Sequence, residues 1–106
     1  MPVTPCDTPA ALATALAEAG SKLVVIDFHA TWCGPCKRIA PFLAKLSETM
    51  TDVVFIKVDV DEHSEASEKY EIEAMPTFKF VKNGVVVHTI TGADDASIEA
   101  ACNQHK

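Results

Sequence analysis

Positive charge is scarce in this 106-residue chain: nine Lys and Arg stand against fifteen Asp and Glu, for a net charge of −6 with histidine neutral. A surface of that sign repels phosphate backbones and anionic lipid heads, so nucleic acid and membranes are poor partners. Long apolar runs are missing as well. Stretches such as Leu23 to Ile26 and Val53 to Ile56 fall far short of the ~18 residues a membrane span needs. The first 20 residues hold no Lys or Arg, include Asp7 and Glu18, and are alanine-rich rather than continuously apolar. They lack the charged and apolar regions of a secretory signal, so a cytoplasmic location is expected.

Metal-ligand pairs are also in short supply. Structural zinc takes four ligands, normally from two closely spaced Cys/His pairs. Beyond Cys33-Gly34-Pro35-Cys36 no second Cys pair exists: Cys6 and Cys102 are isolated cysteines, and His29 and His63 could be recruited only by coincidence. No metal is expected. What the chain does have is an ordinary globular balance of 48% hydrophobic and 23% charged residues, which argues against disorder. Its length suits one domain over residues 1–106 that buries roughly 65% of the unfolded surface, enough to fold without disulfide staples. The cysteines are therefore free for chemistry.

Asp7-Thr8-Pro9 reads as a capped helix start, and the helix runs over about 8–19 to a stop at Gly20. Leu23 to His29 is short, apolar and β-branched, a strand buried on both faces. Ile39, Phe42, Leu43, Leu46 and Met50 recur at helical spacing after Cys36, with Pro41 expected to kink that helix. Val53 to Val58 is a second buried strand, and a polar helix over Ser64 to Tyr70 follows. Thr77 to Val81, Asn83-Gly84 and Val85 to Thr91 spell a β-hairpin. Asp94 or Asp95 caps a last helix in which Ile98, Ala101 and Cys102 share a face. That order predicts an α/β fold: a central mixed sheet, parallel crossovers first and a hairpin last, flanked by helices on both faces. The functional crevice of such sheets lies beyond the carboxyl ends of the strands.

Cys33 and Cys36 fall where a buried strand gives way to a helix. Unpaired amides and the positive end of the helix dipole favour a thiolate there, lowering a thiol pKa from its usual value of about 8.5. Two thiols one turn apart can close into a disulfide, so one can attack and the other resolve. Asp27 and Lys57 are the lone charges of their apolar runs, each the fifth residue, so parallel strands in register would set them at similar height. They are either a structural buried pair or a functional one. Met75-Pro76 reads by default as a trans strand entry, Trp32 as a core ring, Gly92 as a turn residue, and Cys102 as an inert core thiol.

Asp27-Phe28, Ala30-Thr31-Trp32-Cys33-Gly34-Pro35-Cys36-Lys37, Ile39-Ala40-Pro41, Lys57-Val58-Asp59-Val60-Asp61, Met75-Pro76-Thr77, Lys82-Asn83-Gly84 and Gly92-Ala93 together resemble the thioredoxin family. The resemblance implies the thioredoxin fold with a short first strand near Met1 to Thr4. It implies reduction of protein disulfides by Cys33 and Cys36, with Asp27 as proton acceptor and donor for Cys36 and Lys57 tuning it. It also implies a cis Pro76, a Met75 backbone that pairs with an extended substrate, and a groove lined by Trp32, Gly34, Pro35, Gly92 and Ala93. The expected partners are disulfide-containing proteins and an NADPH-dependent flavoprotein reductase, with no cofactor on this chain and a monomeric state. Two rivals remain at this point. A net oxidase is disfavoured because oxidising relatives usually carry a histidine between the cysteines. A binding module without turnover has no physical need for both cysteines, Asp27 and Pro76. His29 stands where many relatives carry an aromatic, and Glu68, Glu71 and Glu73 make the approach to Met75 acidic.

Overall fold

The computed structural model describes residues 3–106, with Met1 and Pro2 outside it. The chain runs β1 (Thr4–Pro5), α1 (Pro9–Ala19), β2 (Leu23–His29), α2 (Gly34–Thr49), β3 (Val53–Asp59), α3 (Ser64–Lys69), β4 (Thr77–Lys82), β5 (Val85–Thr91) and α4 (Asp95–His105). One five-stranded sheet has the order β1-β3-β2-β4-β5. β1, β3 and β2 are parallel, whereas β4 and β5 run antiparallel to their neighbours. This is the mixed sheet expected from the pattern. The first strand lies slightly later than the resemblance placed it, and part of that expected segment falls on residues not described.

Local chemistry accounts for most boundaries. Thr8 caps α1 through its Oγ1, which accepts the Ala11 amide at 3.1 Å, and Gly20 ends the helix at φ 60°. Asp7 does something else: its Oδ1 accepts the Asp59 amide at 2.8 Å and pins the N-terminal segment to the end of β3. The hairpin turn sets Asn83 and Gly84 at φ 52° and 78°, the doubly left-handed turn that matches strand twist. Asp94 caps α4 through the Ser97 amide. α2 continues unbroken through Pro41, although the ring takes one amide donor from the helix.

Every residue from Leu23 to Phe28 is buried, because β2 is central and covered on both sides. Leu23, Val25, Phe55, Phe78 and Phe80 pack against Ile39 and Leu43 of α2 and Ile98 and Cys102 of α4. Val24, Ile26, Phe28 and Val58 face Leu12 of α1 and Ala66 of α3. A fully buried side chain such as Phe28 or Ile98 contributes roughly 1.5–3 kcal/mol. The topology then gathers one end of the sheet. Register pairs His29 with Asp59, Phe28 with Thr77, and Thr77 with Thr91. The β2–α2 turn, the end of β3, the entry to β4 and the exit from β5 therefore meet at a single edge.

Candidate active site

Cys33 and Cys36 are joined by a disulfide at the head of α2, with their Cα atoms 5.3 Å apart. Cys33 is the N-cap, and its Sγ accepts the Cys36 amide at 3.2 Å. Charge on that sulfur is thus met by a helix amide and the helix dipole, as the sequence suggested. Exposure does not separate the two thiols: Cys33 is 5% and Cys36 6% exposed. What differs is their surroundings.

The residues expected to line a groove gather beside the pair. Met75 packs against Cys33, Cys36 and Ala30, and the Met75–Pro76 bond is cis. The Pro76 carbonyl accepts the Gly92 amide at 2.9 Å, which ties the β4 entry to the β5 exit. Gly92 has φ 104°, and a Cβ built on it would meet nothing within 4 Å. Its backbone conformation, not crowding, is what demands glycine. Gly34 and Pro35 are exposed on the rim. Trp32 is 67% exposed, so it is not a core ring. Its Nε1 donates to Asp61 Oδ2 at 2.9 Å, which holds the indole beside the disulfide. Arg38 donates to the Ala93 carbonyl at 2.7 Å and anchors that loop to α2. Asp61 entered the sequence reading only within the family motif and Arg38 not at all, because their partners lie 29 and 55 residues away.

A crevice of about 160 Å³ is lined by Asp27, His29, Ala30, Thr31, Cys36, Lys37, Ala40 and Lys57. Asp27 and Lys57 are register partners, so the two lone charges do share a height. Asp27 is only 6% exposed and its Oδ1 has no hydrogen-bond partner. Burial pushes its carboxyl up to about 7, with Lys57 opposing. A group of that kind beside a thiol can accept and return a proton near neutral pH. Elsewhere, burial holds Cys102 up at about 11, an unreactive core thiol, and also raises buried Cys6. Among the described residues no cluster of three or more His, Cys, Asp or Glu could hold a metal ion.

A sequence model described as Thioredoxin matches residues 4–104. The chain belongs to the thioredoxin family. It is 58% identical to thioredoxin 1 of Plasmodium falciparum over 79 residues, which cover 74% of this chain and 76% of that one. It is 48% identical to the thioredoxin of Callithrix jacchus over 98 residues, covering 92% and 93%. The X-ray structure of Fasciola hepatica thioredoxin superposes with a TM-score of 0.95 at 40% identity, covering 98% of this chain and 100% of that one. With the family goes the chemistry: this thioredoxin-family chain is a thiol-disulfide oxidoreductase, and the Cys33–Cys36 disulfide is its redox-active group.

Proposed function

We propose that the chain reduces disulfides in other proteins through a two-step exchange in which Cys33 attacks and Cys36 resolves. Thiolate Cys33 forms a mixed disulfide with the target. Cys36, deprotonated by Asp27, then attacks the Cys33 sulfur and releases the reduced target. The single observation that carries this reading is the placement of Cys36 and the unpartnered Asp27 carboxyl on one crevice, with Cys33 capped at the helix head. Lys57, the register partner of Asp27, tunes that carboxyl. The target strand lies across Trp32, Gly34, Pro35, Met75, Pro76, Gly92 and Ala93, pairing with the Met75 backbone as a short β-augmentation.

Electrons return from an NADPH-dependent flavoprotein reductase, and the chain acts as a monomer in the cytoplasm. A reducing compartment suits a donor of electrons to disulfides, and it suits the unpaired Cys6 and Cys102. Insulin reduction with NADPH and a thioredoxin reductase tests the reading. Continuous NADPH consumption that needs both this chain and the reductase is expected. Binding of insulin without NADPH consumption marks a binding module instead, and cell fractionation checks the compartment.

The rim also bears on partner choice. Glu68, Glu71 and Glu73 are exposed within seven residues of Met75 in the sequence and belong to the acidic excess that gives the chain its −6. Glu71→Lys with Glu73→Lys is expected to lower kcat/KM for basic disulfide peptides and raise it for acidic ones. Both changes should shrink as salt shortens the Debye length from about 30 Å at 0.01 M to about 8 Å at 0.15 M. Equal treatment of both peptides by parent and variant at low salt would leave the rim no part in selection.

A further inference from the structure

A carboxyl that takes a proton from Cys36 in each cycle must also give it up, and Asp27 is buried beneath the pair with one oxygen unpartnered. The crevice of about 160 Å³ is its opening toward solvent, with room for more than one water at ~30 Å³ each. Besides Asp27 and Cys36, the charged or titratable groups lining it are Lys37, Lys57 and His29. Lysine ammonium groups carry donors only, so they cannot take on a further proton. Imidazole can, since its two nitrogens accept on one side and release on the other.

His29 is placed for this. It lies two residues beyond Asp27 on β2, so both side chains project from the same sheet face, their Cα atoms about 6.6 Å apart along the strand, and water in the crevice they share can link them. The ring is half-buried, and its enclosed Nε2 has no partner among the described residues. It reaches from the surface into the fold with a polar atom to spare. We propose that His29 carries the proton of Asp27 to solvent during resolution, a positioning role that rests on reading Asp27 as the proton acceptor of Cys36.

The proton and electron count closes. The Cys36 thiol gives its proton to the Asp27 carboxylate. The Cys36 thiolate attacks Cys33, the Cys33–Cys36 bond forms, the bond from Cys33 to the target breaks, and the electron pair leaves on the target sulfur. Asp27 then passes its proton through water to His29 and regains its charge, and His29 releases the proton to solvent. The groups facing His29 are Asp27 on β2, Lys57 and Asp59 on β3, Asp7 ahead of α1, and Cys36 and Lys37 on α2. Burial lowers the imidazole from its ordinary range, with Asp59 opposing, Lys57 adding to it and Asp7 opposing. The neutral ring is thereby available near neutral pH, and it sheds a captured proton readily.

The test is stopped-flow single turnover of a symmetric chromogenic disulfide, whose halves are released one by attack of Cys33 and the other by resolution. In weak buffer, His29→Phe is expected to leave the first release at the parent rate. It should slow the second roughly 10-fold, less than the ~10²–10⁴ of a direct acid–base group. Added imidazole should restore the second step in the variant and leave the parent unchanged. His29→Asn, smaller than the parent residue, is expected to show the same pattern and so to exclude a packing effect. A second step at the parent rate in weak buffer, or one slowed without imidazole rescue, overturns the relay. So does a parent whose own second step accelerates with imidazole, a result that needs no variant to fold. Asp27→Asn run beside them separates the two ideas: an unslowed second step there overturns the role of Asp27 itself.

Discussion

Cys33→Ser is expected to bring disulfide reduction down to the uncatalysed background, whereas Cys36→Ser should stop after one step and hold its target covalently. The asymmetry follows from the helix head. Cys33 Sγ faces the Cys36 amide and the dipole of α2, so it is the sulfur whose thiolate is stabilised. A serine hydroxyl there stays protonated near neutral pH and cannot open a disulfide. Without Cys36 nothing reaches back to release the target, and the mixed disulfide persists. Non-reducing electrophoresis and intact mass measure the trapped adduct, and limiting iodoacetamide on the reduced chain should label Cys33 ahead of Cys36. Normal turnover by Cys33→Ser would remove the cysteine pair from the chemistry, and equal labelling would reverse the argument from the cap.

Asp27→Asn is expected to stabilise the oxidised chain, by about 4 kcal/mol at pH above 8, and by nothing attributable to ionisation below pH ~4. The sign comes from where each state holds its proton. Burial keeps the folded carboxyl protonated up to about 7, while the unfolded chain releases that proton around ~3.9. Between those values only the unfolded state gains by ionising, so stability is full below the lower one and is lost as pH rises through the upper. A neutral amide removes the pH dependence. Urea titrations of parent and variant across that range should diverge with rising pH, and a constant gap would mean the carboxyl is not desolvated. The same substitution is expected to slow resolution, so that stability and turnover move in opposite directions at this residue.

The unequal legibility of the sequence has physical causes. β2 and β3 could be read because burial on both faces leaves unbroken apolar runs, and the hairpin because Asn83-Gly84 suits left-handed backbone. Asp27 and Lys57 stood out as lone charges in those runs, and parallel register brought them together. β1 was invisible to pattern, since two exposed residues on an edge strand carry no alternation, and only the family resemblance suggested it. Trp32 misled by composition, because a lone tryptophan is usually core and here an acceptor on a distant turn holds it outside. Arg38 is one exposed charge among several on α2, and only the fold brings it to the Ala93 carbonyl, 55 residues away. Near-equal burial of the two cysteines was beyond sequence reasoning, as it depends on how Met75 and Ala30 close over them.

The hydrogen bonds from Gly92 to Pro76 and from Arg38 to Ala93 lash three chain segments, distant in sequence, into one lip around the disulfide. With that lip already assembled, the docking proposed above places the entropy cost mainly on the incoming chain, which must straighten and surrender its rotamers. A target whose disulfide sits in a mobile loop bends to the lip at little enthalpic strain. One whose disulfide is locked inside a packed core must first open locally, and its reduction rate then reports the target's own opening equilibrium, so that the rigid partner in the encounter becomes a gauge of the other's flexibility.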